Sequence, residues 1–258
     1  MNYNQFAWYY DSLMEPQFYE DYFLFIKKHA AYNRILDLGC GTGRLDAYFM
    51  QDDCFLTGVD LSEAMIDIAK ENINHPHFQF EVGDMLDYEA KQSYDLVLCV
   101  CDSLNYILGF EKQKAVLKKA YEALEENGTF IFDVHSQYKI NELFKNYMEE
   151  DENEDFYFYW KVKKTDDYQI THYVIIEDLN EDIRTEKKHI QESYPITFYI
   201  EALKEIRAFD SNAKVVMLTA AGQQSKIVEA VKSGAAEFIT KPFDETEVLN
   251  TLNKIVSK

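Results

Sequence analysis

No run of 18 consecutive apolar residues occurs in this chain, so nothing in it reads as a membrane-spanning helix. Cysteine is scarce. Cys40, Cys54, Cys99 and Cys101 make no disulfide framework, and a reducing cytoplasm is the expected home. Positive charge is also short: 26 Lys and Arg face 46 Asp and Glu, and a net charge of −20 argues against unspecific binding to nucleic acid or anionic membrane. The opening MNYNQFAWYYDSLMEP lacks a basic n-region and an apolar h-region, so no secretory signal is expected there. There is no internal repeat. What is present is hydrophobic and aromatic: 258 residues at 47% hydrophobic and 15% aromatic content exclude a disordered chain and suffice for one large domain or two small ones.

The composition is uneven. Residues 201–258 hold 8 acidic and 8 basic side chains, so the whole −20 resides in residues 1–200, with all 19 Tyr, both Trp and every Cys. Such a shift suggests two segments of different origin. Helical spacing covers 5–30. RILDL (34–38) reads as a buried parallel strand ending in glycines, followed by a helix over 42–51. Strands follow at 54–60, 77–84, 94–103 and 128–136. The helices between them include one opening at Ser62 and one over 111–126 that stops at Asn127-Gly128. This alternation predicts a doubly wound, mostly parallel Rossmann-like α/β sheet. Over 137–197 the pattern changes to an acidic exposed loop (149–155) and antiparallel strands at 156–164, 168–177 and near 188–198, an insertion expected to cover one sheet edge or act as a lid. Alternation resumes from 199 with three helices and the strands KVVMLTA and AEFIT.

The chemistry-bearing motif is Asp37-Leu38-Gly39-Cys40-Gly41-Thr42-Gly43-Arg44, directly after a predicted strand. Gly39 permits a tight turn, Gly41 and Gly43 allow close approach of a ligand, and the next helix offers free N–H groups. A nicotinamide or flavin fingerprint needs G-x-G-x-x-G, and Arg44 stands where its last glycine belongs. Asp60, 21 residues after Gly39 at the end of the second strand, suits two ribose hydroxyls. Asp84 and the Met85 N–H suit an adenine edge.

Together these residues resemble class I S-adenosylmethionine-dependent methyltransferases over roughly residues 1–197. Phe6-Ala7-x-x-Tyr10-Asp11 and Cys101-Asp102-Ser103-Leu104-Asn105-Tyr106 are similar to a small bacterial branch of that family. The resemblance implies S-adenosylmethionine as cofactor. Asp37, Gly39, Cys40, Gly41 and Gly43 would flank its methionine part, Asp60 and Leu61 its ribose, Asp84 and Met85 its adenine, with Tyr10 and Cys101 beside it. Transfer is then an in-line displacement in which the protein supplies alignment and desolvation. Asp102 and His135, after the fourth and fifth strands, are the candidate catalytic residues, weighed against a ligand-positioning role for Asp102 and a rim hydrogen bond for His135. Cys99 and Cys101 are expected to share a strand face as core packing. The acceptor is expected to be a small molecule, because no Asn/Asp-Pro-Pro-Tyr motif for amino-methylation of DNA bases is present.

Residues from about 200 to 258 resemble the C-terminal half of a response-regulator receiver, through Thr219, Lys241-Pro242, Phe238 and the stretch GAAEF. The first half of a receiver is missing, as are the last two strands of a methyltransferase. Two strands and three helices cannot bury a two-sided parallel sheet alone. The expectation is therefore one hybrid domain over 1–258, an engineered or recombined chimera: a binding core at 1–136, the antiparallel insertion at 137–197 and a receiver-like segment at 198–258. A tethered receiver half, a signalling or binding module, and a fold-design product without activity are the competing readings. Asp102 and Asp133, with Thr219 and Lys241, are a further candidate set for a phosphorylatable pocket.

Overall fold

The computed structural model describes residues 16–90, 93–152, 156–180, 183–209, 214–220 and 237–241, and every structural statement below concerns these. Tyr10, the Phe6–Asp11 motif, Pro242 and the last two predicted helices lie outside them.

Helix α1 (Pro16–His29) leads into strand β1 (Arg34–Leu38), followed by β2 (Phe55–Asp60), α2 (Glu63–Asn72), β3 (Phe78–Val82) and β4 (Tyr94–Cys99). Then come α3 (Phe110–Ala123), β5 (Leu124–Val134), β6 (Met148–Glu152), β7 (Phe156–Lys164), β8 (Gln169–Asp178), β9 (Ile183–Glu192), α4 (Ile196–Phe209), β10 (Lys214–Ala220) and β11 (Glu237–Lys241). The large sheet has the order β11-β10-β5-β4-β1-β2-β3, and every pairing in it is parallel. The doubly wound parallel sheet read from the sequence is thus present.

Alternation along the strands divides the core between two faces. Leu36, Leu38, Val97 and Cys99 pack with α3 and α4. Ile35, Leu56, Leu96 and Leu98 pack with α1 and α2. The strand order reverses between β1 and β4, and in open parallel sheets a ligand crevice opens outside the carboxyl ends at that point.

Four local readings change. The helix expected over 42–51 is only a six-residue 3-10 segment, Asp46–Gln51, because the three glycines before it all adopt positive φ and lead the chain through turns. Helix α3 stops at Ala123, not at Asn127-Gly128. The acidic 148–152 segment is a fully exposed edge strand paired with β7, its charges discouraging further strand addition. Finally, the antiparallel sheet β6-β7-β8-β9 does not cover an edge of the large sheet. Through β9 it packs on the Ser103–Tyr106 turn after β4 and so roofs the carboxyl ends.

Candidate functional site

The loop after β1 and the loop after β4 are locked together. Gly39 turns at φ +87, and a Cβ there would lie 2.7 Å from Ser103 Cβ and Oγ, while Ser103 Oγ donates to the Gly39 carbonyl at 3.1 Å. At Gly41 an added Cβ would meet nothing within 4 Å, so the space above that backbone is open for a ligand. Gly43 behaves differently. Its added Cβ would lie 2.7 Å from Ile73 Cδ1 and 3.3 Å from Ala69 Cβ, and the residue does not line the cavity. It serves close packing against α2.

Asp60, at the end of β2, faces this loop. Its Oδ2 accepts the Gly41 N–H at 3.0 Å and its Oδ1 the Ser62 N–H at 2.8 Å. Burial raises its pKa above the ordinary carboxylate value, opposed by those two N–H groups. Asp84 accepts the Leu86 N–H at 2.9 Å. Asp37, Gly39, Cys40, Gly41, Asp60, Leu61, Asp84, Met85, Cys101, Asp102 and His135 all line one cavity of about 1340 Å³. Phe18 and Tyr19 of α1 line it too, with the Arg44 guanidinium 5.7 Å from the Tyr19 ring centre. Burial pushes the Cys40 thiol well above its ordinary pKa, which leaves it unreactive.

Sequence reasoning missed what lies beneath. Asp37 and Asp46 form a buried pair, 3% and 0% exposed. Burial raises Asp37 to about 7, against the lowering effect of its hydrogen bond with Asp46 and with a further push from Asp60. Asp46 is raised well above its ordinary value by burial and then by Asp37, so the pair keeps a proton. Asp46 carried no cue, since it lies beyond the glycine motif in what read as an ordinary helix.

The turn after β4 is unusual. Cys101 and Asp102 both have positive φ, 58° and 65°. Asp133 of β5 holds that conformation: its Oδ1 accepts the Asp102 N–H at 2.8 Å, and its Oδ2 accepts the hydroxyl of Tyr22. Asp133 is 0% exposed with both oxygens engaged. In the backbone register it pairs with Leu218, while Thr219 pairs with Val134. This geometry opposes phosphorylation at Asp133 and gives the residue a positioning role. Cys99 and Cys101 do not share a strand face, because β4 ends at Cys99 and Cys101 turns toward the cavity.

Asp102 projects between two cations-in-waiting. Its Oδ1 lies 3.2 Å from His135 Nδ1, and its Oδ2 accepts from Lys139 Nζ at 3.2 Å. His135 is 3% exposed, and its Nε2 lies 2.8 Å from Gln191 Oε1 of β9. Asn105 is buried in the same turn, its Oδ1 accepting the His135 N–H at 3.4 Å. The roof adds Trp160, whose Nε1–H donates to His172 Nδ1 at 3.0 Å with the two rings stacked. Burial lowers His172 to about 4, so it stays neutral at physiological pH. Lys139, Gln191 and His172 follow no motif, because the fold alone brings 139, 172 and 191 to one mouth.

Such a sheet, with an acid at the end of β2, a glycine turn after β1 and a roofed crevice between β1 and β4, defines an α/β ligand-binding protein of the methyltransferase architecture. Residues 35–128 match the family model described as "Methyltransferase domain". A Geobacillus sp. (strain WCH70) protein named "Putative methyltransferase" is 33% identical over 218 residues, covering 80% of this chain and 88% of that protein. The chain belongs to this methyltransferase family. A Bacillus subtilis (strain 168) protein named "Putative methyltransferase YqeM" is 30% identical, covering 79% of this chain and 85% of its own length. Among solved structures, an S-adenosylmethionine-dependent methyltransferase from Clostridium acetobutylicum shares the fold at a TM-score of 0.67 and 24% identity, covering 78% of this chain and 86% of that one.

Residues 200–253 match the model described as "Response regulator receiver domain". Chemotaxis protein CheY of Thermotoga maritima is 48% identical over 56 residues, 22% of this chain. The match spans 47% of that CheY, about half its length.

Proposed function

We propose that this chain binds S-adenosylmethionine in the cavity at the carboxyl ends of β1, β2 and β4 and transfers its methyl group to a small-molecule acceptor. The observation that carries the reading is the joint geometry of Gly41 and Asp60: open space above a backbone whose N–H is tied to a carboxylate that still faces the cavity. The residues fit the cofactor. Asp60 takes the ribose hydroxyls, Leu61 covers the rim, Asp84 and the Met85 N–H take the adenine edge, and Asp37 and Gly39 to Gly41 flank the methionine part. Tyr10 is carried by the sequence resemblance alone. When bound, the cofactor supplies an activated methyl group on a sulfonium. The protein's share is to align the acceptor and to exclude water, which the roof of Phe144, Phe158 and Trp160 does over the same cavity. Asp102 and His135 stand on the acceptor side.

Calorimetric titration with S-adenosylmethionine tests this. Binding that disappears in Asp60→Ala supports it, and a folded protein that binds neither S-adenosylmethionine nor its demethylated product defeats it.

We also read residues 1–258 as one hybrid domain, an engineered or recombined chimera. The support is the parallel pairing of β10 with β5 from Lys214–Thr129 to Thr219–Val134. One calorimetric unfolding transition is expected, and two separate ones refute it. The fold-design alternative predicts cofactor binding without turnover, and the signalling alternative predicts a phosphoryl site that the engaged Asp133 does not offer. The charge of −20 and the reduced cysteines suit a cytoplasmic protein without a nucleic-acid partner.

A further inference from the structure

We propose that His135 Nε2 is the group that takes the acceptor's proton, that the Gln191 side chain occupies that position until the acceptor displaces it, and that the acceptor therefore reacts through a hydroxyl or a neutral amine. This rests on the methyl-transfer reading above and deepens it.

Asp102 is anchored at both its backbone and its side chain. Its backbone is held in the left-handed region by Asp133, and its Oδ2 is taken by Lys139. Its remaining oxygen, Oδ1, is 3.2 Å from His135 Nδ1, in contact though not yet in hydrogen-bond alignment, as is common before a substrate tightens a site. With both oxygens facing cations or potential cations, Asp102 is poorly placed to accept a proton from an acceptor. What it does is face Nδ1 with a carboxylate oxygen, the orienting position that a carboxylate takes behind a working imidazole. Nε2 is then the exchangeable nitrogen. The ring is wedged by the edge-on Phe144 ring, 5.7 Å between centroids, so it has little freedom to turn.

Gln191 covers Nε2 at 2.8 Å. As placed it does so with Oε1, which accepts from a proton-bearing Nε2; with the amide turned over, its NH2 would instead donate to a bare Nε2. A hydroxyl or an amine can also do either. The exchange needs no lid opening, because the neighbouring Glu192 is pinned: its carbonyl accepts from Gln113 Nε2 at 3.0 Å, and its Oε2 accepts the Gly109 N–H at 2.6 Å. Rotation of one side chain suffices. In the step itself, the acceptor's X–H proton passes to Nε2 while its lone pair forms the new X–C bond to the methyl carbon. The electron pair of the broken C–S bond goes to sulfur, and the imidazolium faces Asp102.

Two measurements on the full chain test this without a known acceptor. Long-range ¹⁵N–¹H NMR of histidine-labelled protein, with His135 assigned through His135→Gln, reads the tautomer. In Gln191→Ala, where the amide oxygen no longer holds a proton on Nε2, a neutral His135 carrying its proton on Nδ1 is expected; a neutral ring still protonated on Nε2 in that variant overturns the base assignment. Labelling by diethyl pyrocarbonate, mapped by mass spectrometry, reads the cover. Losing one neutral hydrogen bond should speed labelling of His135 about five- to tenfold in both Gln191→Ala and Gln191→Asn. An unchanged rate in the two variants removes the stand-in role. Titration with S-adenosylhomocysteine runs alongside: if no form of the protein binds it, the methyl-transfer reading fails, while the tautomer and labelling results still decide the His135–Gln191 pair.

Discussion

Replacing Asp46 by Asn should change how stability depends on pH by a calculable slope. Asp37 and Asp46 are both buried, and burial is the main cause of both raised values. In the unfolded chain both ionise near pH 4; in the folded chain burial holds the Asp37 proton to about 7 and raises Asp46 well above its ordinary value. Between those limits the folded chain binds more protons than the unfolded one, so stability falls as pH rises. Each group contributes a fall of about 1.4 kcal/mol per pH unit, and the pair about 2.7. An Asn amide still donates to Asp37 but cannot ionise, so Asp46→Asn removes one of the two contributions. The variant and the parent should be close in stability near pH 4. The variant should gain stability on the parent as pH rises from about 4 toward 7, by about 1 kcal/mol per pH unit. Urea unfolding at half-unit pH steps measures it, and the titrating groups not coupled to Asp46 cancel in the difference. Parallel stability curves for the two proteins would refute the shared-proton account of this pair.

Asp60→Ala removes a carboxylate that organises both the glycine turn and the proposed ribose contacts, and should weaken S-adenosylmethionine binding about 10- to 150-fold by calorimetry, the size of one lost charged hydrogen bond. Gly43→Ala and Gly41→Ala should separate packing from binding. The first, at φ +75 against Ile73, should cost about 2–4 kcal/mol in urea unfolding, while the second should cost about 1–2 kcal/mol of backbone strain and a larger share of cofactor affinity. Equal losses of affinity at both positions would contradict the division. Asp133→Ala removes the acceptor of the Tyr22 hydroxyl and of the Asp102 N–H in a buried site and should destabilise the fold by about 2–5 kcal/mol; a change under about 0.5 kcal/mol would deny Asp133 its clamping role.

The large sheet was legible because its strands are apolar runs that end in turn residues: RILDL before Gly39, FLTGVD before Ser62, DLVLC before the tight turn at 101–102. Parallel strands buried on both faces carry that pattern by necessity. Asp60 and Asp84 were legible for the same reason, since carboxyl-end residues follow directly from strand ends. The short 3-10 segment at 46–51 was not, because three glycines in positive φ use up the residues that a helix needs for its first turn, and hydrophobic spacing does not report φ. Asp102 and His135 were legible in the same way as Asp60 and Asp84, but Lys139, His172 and Gln191 were not, since no motif places them and the docking of β9 on the turn after β4 brings the roof residues to that mouth. Asp133 shows the opposite case: its position near a strand end made it a candidate for a phosphorylatable pocket, but the tyrosine of α1 closes over it.

The junction between the two resemblances falls inside α4, and the packing there accounts for how two such segments can share a sheet. The receiver match begins at residue 200, whereas the helix begins at Ile196. Its first turn is fastened to the first segment: the Tyr199 hydroxyl donates to Gln113 Oε1 at 2.7 Å and accepts the Tyr194 N–H at 3.2 Å. One turn on, Ile200, Ala202 and Leu203 enter the same core as Phe130, Phe132 and Val116. The helix thus carries the end of one sequence pattern and the start of another along a single buried face. A right-handed crossover through such a helix delivers the next strand parallel to and beside β5, at the spacing that any parallel sheet requires. Because α/β halves use the same strand spacing and handedness, β10 needs only an apolar run of matching length to continue the ladder. KVVMLTA provides it, pairing in unbroken register from Thr129 to Val134.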